Sequence, residues 1–299
     1  MFEYTLRHNF TKKQRYDSFL SSELISTDQN DIYYFDQSKF AVNKFTLPEN
    51  ISKDCNQWDL IPVELKFEQI LSDITDVLKI KVYKNFLYFV TLTSFNTYDL
   101  DTKSLKSISL MYGEWNFTIL AEKIFLYSQT LNIFNVVQQN KAELDFISLP
   151  SSPINILQVN EQIIIVFSQF FAIYSIQLNL LKQIPVPAKV DVVAAQMNEC
   201  HLILASKQRQ ILKVSIEGKV LGTIQAATKY DPQQIFFIDD SIILQSRSHE
   251  VIRQSFTQKN DRFSGVRGDA PWVGGEISQG TFVGLTEGGI YIIFGVKNL

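Results

Sequence analysis

Cys200 and His201 stand side by side, and a thiol next to an imidazole is the first place to look for nucleophilic chemistry in this sequence. On a β-strand, however, consecutive side chains point to opposite faces, so a strand through the pair would keep thiol and base apart. The three histidines, His8, His201 and His249, share no metal-ligand spacing, and neither do Cys55 and Cys200. The acid pairs Asp99/Asp101 and Asp239/Asp240 fall where turns are expected, and there an Asp carboxylate caps backbone amides. Gly-x-Ser-x-Gly, Walker and dinucleotide fingerprints are missing. Arg267-Gly268-Asp269 spells a cell-adhesion tripeptide, but three residues coincide easily by chance. These residues call for no catalytic group, no cofactor and no metal.

The elements that would have to carry any site are far more legible. A fragment made of a turn, an apolar strand, a polar break and a second strand with aromatics recurs along the chain, as in NFLYFVTLTSFNTYDL, EQIIIVFSQFFAIYSI and TFVGLTEGGIYIIFG. Centred on its second strand, it gives the anchors Tyr34, Tyr98, Ile133, Ile173, Leu212, Ile252 and Tyr291, separated by 64, 35, 40, 39, 40 and 39 residues. A fixed period of this size marks a repeat architecture, and with four short strands per unit that architecture is a β-propeller. Asn85, Ala121-Glu122, Asn160-Glu161, Asn198-Glu199, Asp239-Asp240 and Gln279-Gly280 recur as turns ahead of the apolar strand. First strands then read LKIKVYK, WNFTILA, INILQVN, VDVVAAQMN, QIFFIDD and WVGGEIS, with outer strands such as LLKQIPVPA and KVLGTIQ.

The fold expected is all-β: a seven-bladed propeller of four-stranded blades filling residues 1–299 as one domain. The last unit runs out after its third strand, so FEYTLRH at the start is expected to supply the missing outer strand and close the ring, removing an open sheet edge. The long interval between Tyr34 and Tyr98 leaves an insertion of roughly 24 residues beyond the period, placed near 50–77 in the second blade. Phe67, Ile70, Leu71, Ile74, Val77 and Leu78 within it have helical spacing, which predicts an amphipathic helix over 64–78 that packs outside the propeller or is offered to a partner.

The unit of about 40 residues, with its strand pattern over nearly the whole chain, resembles the WD-repeat family of β-propellers. The family's Gly-His and Trp-Asp dipeptides are absent from their expected places; Tyr98-Asp99-Leu100 is the closest echo, and Trp58-Asp59 falls in the insertion. The resemblance implies a platform for protein assembly.

Composition sets the outer bounds. With 45% hydrophobic residues, 13% aromatics and a net charge of -3, the chain can bury a large core and has no global attraction for nucleic acid. No run approaches the eighteen apolar residues of a membrane span, and the opening residues lack a secretory apolar core. A cytoplasmic or nuclear protein is expected, with organellar import left open by Arg7, Lys12, Lys13 and Arg15.

Binding surfaces are expected on one rim. Nine of the twelve glycines follow residue 260, and DRFSGVRGDAPWVGG reads as a mobile loop between the sixth and seventh blades. It should share its rim with the turns between second and third strands. Lys207 and Arg209 of the fifth blade, Arg247 and His249 of the sixth, and Lys259, Arg262 and Arg267 of the loop then form a basic arc suited to an acidic segment or a phosphate backbone. Phe263 and Trp272 could add stacking, although Trp272 fits better as a strand anchor, and Phe170-Phe171 is an alternative apolar contact. The function expected is a non-catalytic protein-protein interaction scaffold within a larger complex. The alternatives are a nucleic-acid-associated subunit of a ribonucleoprotein particle using the basic rim and, third, a propeller enzyme.

Overall fold

The computed structural model describes residues 5–9, 23–47, 60–62, 65–120, 122–137, 147–187, 190–238, 241–246, 250–256, 264–267, 272–278, 281–286 and 289–294. The chain opens with β1 (Thr5–Asn9). The first blade takes β2 (Ile25–Asp28), β3 (Asp31–Asp36), β4 (Ala41–Thr46) and, beyond β5 (Leu60–Pro62), β6 (Glu68–Leu71). The second takes β7 (Val77–Tyr83), β8 (Phe86–Thr91), β9 (Ser94–Asp99) and β10 (Leu105–Ser109). The third takes β11 (Trp115–Leu120), β12 (Lys123–Ser128), β13 (Ile133–Val137) and β14 (Ile147–Ser148). The fourth takes β15 (Asn155–Val159), β16 (Gln162–Val166), β17 (Phe170–Ser175) and β18 (Leu180–Pro185), and the fifth β19 (Val192–Asn198), β20 (His201–Ser206), β21 (Gln210–Ser215) and β22 (Val220–Gln225). The sixth takes β23 (Pro232–Ile238), β24 (Ser241–Ser246), β25 (Glu250–Ser255) and β26 (Ser264–Arg267), and the seventh β27 (Trp272–Ser278), β28 (Thr281–Thr286) and β29 (Gly289–Phe294). Its fourth place is filled by β1, antiparallel to β29, and β5 adds a fifth strand parallel to β1. The architecture is an all-β, seven-bladed propeller, with no α-helix among the described residues.

Strand composition follows position in the blade. Second strands such as β16 (QIIIV) and β20 (HLILAS) lie between neighbouring blades, so both faces are buried and the sequence is nearly continuous in apolar residues. Outer strands meet water, and β10 and β22 are largely exposed. Gln29, Lys84, Glu122, Asn160 and Glu199 each take a left-handed φ between 53° and 65° in the turns from first to second strand. The second, fifth, sixth and seventh blades repeat one β-bulge near the start of the first strand, at Leu78, Val193, Gln233 and Val273. Apolar clusters join each blade to the next. One runs from Trp115 and Phe117 to Leu78 and Phe95, and another from Phe134 to Ile163 and Tyr174. The largest packs Val283, Leu285 and Ile290 of the last blade with Leu24, Tyr34, Val82 and Leu87 of the first two, so the core closes around the ring.

Three expectations are corrected. Residues 65–78 form no helix: β6 is the outer strand of the first blade, and β7 starts the second. The spacing that imitates a helix is a bulged edge strand (Ile70, Leu71), a loop residue (Ile74) and a bulged inner strand (Val77, Leu78), because the blade's need for a fourth partner overrides local periodicity. The insertion accordingly lies between β4 and β6 of the first blade, not in the second. Tyr34 sits on a second strand, facing Asn43 on the third, and from Asn43 to Tyr98 the interval is 55 residues, so the insertion is nearer 15 than 24. Finally, the glycine-rich segment is not one long loop: Ser264–Arg267 pair with β25, and Trp272–Gly275 belong to β27. Blade seven uses its glycines for space. A Cβ on Gly275 would lie 2.6 Å from Phe282 Cζ, and one on Gly284 would lie 2.2 Å from Trp272 Cζ3.

Candidate interaction rim and central channel

The seven first strands surround a channel of about 590 Å³. Its charges sit together where blades seven, one and two meet. Glu23 bonds across to Lys79 at 2.8 Å, and Lys81 contacts Glu276, whose other carboxylate oxygen accepts the Thr27 N–H at 2.8 Å. Burial, reinforced by the like charge of Lys79, pushes the Lys81 ammonium down to about 8, while Glu23 and Asp28 pull the other way. These pairs span the first blade, whose inner strand has only four residues, and Ser26 Oγ accepts the Val82 N–H there. The charges therefore join blades rather than present a reacting pair. Elsewhere the lining is apolar and amide, including Phe117, Asn155, Gln196 and Gln234, and the Asn155 amide donates to Ala195 O of the next blade.

Cys200 and His201 are closer than strand geometry alone predicts. Cys200 belongs to the turn behind left-handed Glu199, and its Sγ comes 3.7 Å from His201 Nδ1. The expectation that the two point apart is wrong because a turn, not a strand, orients the thiol. The pair is at the surface, one turn from Glu217, whose carboxyl is held below its usual range chiefly by the Ser215 hydroxyl, then by its own backbone amide, with Lys182 and His201 assisting. Asp99 acts as the turn cap expected of it, accepting the N–H groups of Asp101 and Thr102, and the Thr102 amide leads in keeping its carboxyl acidic. Among the described residues no group of three or more His, Cys, Asp or Glu is placed to hold a metal ion.

The rim formed by second-to-third-strand turns and interblade loops carries several of the exposed large side chains, others lying on outer strands. Between blades two and three, Met111, Tyr112 and Leu131 are 56%, 73% and 36% exposed. The backbone there is fixed: Leu110 N–H donates to Thr93 O, Gly113 N–H to Leu92 O and the Trp115 indole N–H to Met111 O. A Cβ on Gly113 would lie 3.3 Å from Leu131 Cδ1, so the 110–114 loop and the 129–132 turn are one surface. Phe40 adds a half-exposed ring on the first blade's turn, which Asp36 caps by accepting from the Ser38 hydroxyl and amide and from the Lys39 N–H.

The predicted contact residues fare differently. Lys207 and Arg209 are exposed in the β20–β21 turn of this rim. Arg247, His249, Lys259 and Arg262 lie outside the described residues, as do Phe263 and Cys55, and Arg267 ends β26 rather than lying in a loop. Phe171 is corrected: its ring is fully buried in the core between blades four and five, because it occupies an inward position of β17. Phe170 is half-buried and stacked on Phe167 at 4.4 Å. Trp272 is buried against Phe282, an anchor of its strand as expected. The Met111–Tyr112–Leu131 surface was missed; the only signal for it was an apolar pair, Met111-Tyr112, standing where a polar interblade turn was due.

No protein-family model and no curated protein matches the sequence. Solved structures do match in shape. The WD40 β-propeller domain of Doa1 superposes with a TM-score of 0.73 at 11% identity, covering 97% of each chain. A chain of the mitotic checkpoint complex gives 0.75 at 9%, covering all of this chain and 95% of that one. A catalytically inactive virginiamycin B lyase from Staphylococcus aureus, crystallised with quinupristin, gives 0.72 at 10%, covering 98% and 99%. At these identities the likeness is one of fold, and that fold is the β-propeller, shared by a WD40 domain and a lyase alike.

Proposed function

We propose that this propeller is a non-catalytic protein-interaction scaffold, a subunit of a larger multi-protein assembly that meets its partners on the rim of second-to-third-strand turns. The observation that carries the reading is the Met111–Tyr112–Leu131 surface. Three large apolar side chains stand in water on a backbone held by hydrogen bonds, with Thr93, Gln129 and Thr130 around them and Glu114 as the nearest charge in sequence. Protein interfaces have this anatomy: a charge-poor centre rich in aromatic and Met side chains within a polar margin. The similarity to propellers from assemblies, one a chain of the mitotic checkpoint complex and another a BBS1 fragment crystallised with ARL6, supports the same reading.

Tagged purification from the native source, with mass spectrometry of co-eluting proteins, tests it. The wild type should retain nuclease-resistant partners, and Met111→Ser/Tyr112→Ser should lose at least one of them while keeping its thermal midpoint. Partners retained in full by the variant would remove this surface from the reading. Partners released by nuclease would favour the ribonucleoprotein alternative, and an absence of partners would overturn the scaffold itself.

A further inference from the structure

A second sector of the same rim has different chemistry. The turn 206–209 of blade five and the interblade loop 226–231 are tied together: Ala226 N–H donates to Arg209 O, Arg209 Nη1 donates to Thr228 O at 3.2 Å, and the Gln225 amide donates to Gln208 O. On this joined surface Lys207, Arg209 and Lys229 are exposed, as is Tyr230, 54% exposed. No carboxylate among the described residues forms an ion pair with any of the three. The nearby acids are otherwise directed: Glu250 accepts the Lys229 N–H at 2.9 Å, and Asp191 accepts from the Gln169 amide at 2.9 Å. Asp231 is the one exposed acid in the loop.

We infer that this sector docks a short acidic peptide segment, with its carboxylates on Lys207, Arg209 and Lys229 and an aromatic or large aliphatic side chain on Tyr230. The inference rests on the scaffold reading and names the chemistry of one partner. Charge complementarity selects the carboxylates, and an exposed ring in the same loop as Lys229 selects an apolar neighbour for them. A nucleic-acid backbone fits less well. It needs a track of cations neutralising successive phosphates, whereas among the described residues three cations, with Asp191, Asp231 and Glu250 nearby, make a spot.

The test is a displayed library of random twelve-residue peptides selected on the immobilised full chain, with soluble Lys207→Glu/Lys229→Glu protein as competitor. Selected peptides should combine Asp or Glu with Trp, Phe or Leu. Their binding should weaken at least tenfold with the double charge reversal and with Tyr230→Ser, and several-fold between about 50 and 300 mM salt, as screened surface pairs require. Met111→Ser/Tyr112→Ser should leave it unchanged. Neutral or basic selected peptides, equal binding to the charge-reversed protein, no enrichment, or tighter binding of a single-stranded oligonucleotide would each overturn the inference. The native purification separates this failure from that of the scaffold: partners insensitive to Lys207 and Lys229 leave the scaffold standing without this sector.

Discussion

Gly284→Ala puts the closing blade under direct test. The added Cβ would sit 2.2 Å from Trp272 Cζ3 and 2.8 Å from Phe282 Cε1. Carbon atoms in contact rest at about 3.5–4.0 Å, so a gap of more than about 1 Å has to open. Neither neighbour is a free surface group: Trp272 is buried, Phe282 is fully buried, and the two rings meet edge-on at 6.0 Å. Overpacking of this kind costs about 1–3 kcal/mol, and two immobile rings place the expected loss at about 2–3 kcal/mol. Unfolding entropy near 2.1 cal/mol/K per residue gives about 0.6 kcal/mol/K for this chain, so the midpoint should fall by about 3–5 °C in calorimetry. Gly222→Ala is the matched control. Its Cβ would meet only Phe256 Cδ1 at 3.6 Å and Lys213 Cβ at 4.0 Å, and removing a strand glycine there should leave stability unchanged or raise it by up to about 1 kcal/mol. If Gly284→Ala matches Gly222→Ala, the seventh blade does not pack on Trp272 as described, and the reasoning about its glycines is wrong.

Glu276→Gln should destabilise the protein more at pH 7 than at pH 9.5, measured by urea midpoints. Lys81 already has a lowered folded pKa of about 8 against an ordinary value of 10.5. Between those values the unfolded chain binds more protons, so stability rises with pH through that window, and losing the counter-charge steepens the rise. A pH-independent loss would remove Lys81 from the account. Asp36→Ala removes the buried carboxylate that accepts from the Ser38 amide and hydroxyl and the Lys39 N–H, leaving those donors without it, and should cost about 2–3 kcal/mol in chemical denaturation; a loss below about 0.5 kcal/mol would show that the turn holds without its cap. Thr228→Val removes a buried hydroxyl with no hydrogen-bond partner among the described residues, and should raise stability by about 1 kcal/mol, whereas a decrease would reveal a partner for that oxygen.

The repeat was legible because burial dictates it. A second strand covered on both faces must be apolar throughout, and the turn ahead of it must tolerate a left-handed residue, so QIIIV after Asn160-Glu161 and HLILAS after Asn198-Glu199 announce themselves. The outer strand of the first blade did not. Edge strands are exposed and weakly patterned, and the bulge in β6 sets Ile70 and Leu71 side by side in a spacing that a helix would also use. Tyr34 misled for a related reason: DIYYFD has the aromatics of a third strand but is the second, and its true third strand, AVNKFT, is plainer. At the rim, sequence pointed to Lys207 and Arg209 through charge, yet it offered no means of knowing that Lys229 and Tyr230 join them, since that depends on a loop lying across a turn 20 residues earlier.

The division of labour between the two rim sectors follows from the same geometry. In a propeller the blades share load through their buried faces, so each rim loop is free to differ from the next provided its backbone ends are held. Here the ends are held alike, by amide-to-carbonyl bonds from loop to turn at Leu110–Thr93 and at Ala226–Arg209. What the loops then expose differs: apolar side chains beside blade three, and cations with a tyrosine beside blade five. An apolar anchor supplies affinity through desolvation, while screened surface charge mainly supplies orientation and rate of encounter. A partner that used both sectors would therefore lose affinity with the Met111/Tyr112 substitutions and association rate with the Lys207/Lys229 reversals. Surface plasmon resonance on a partner recovered from the native purification separates the two. Loss of association rate with the apolar substitutions, or of dissociation half-life alone with the charge reversals, would show that the roles are not divided this way.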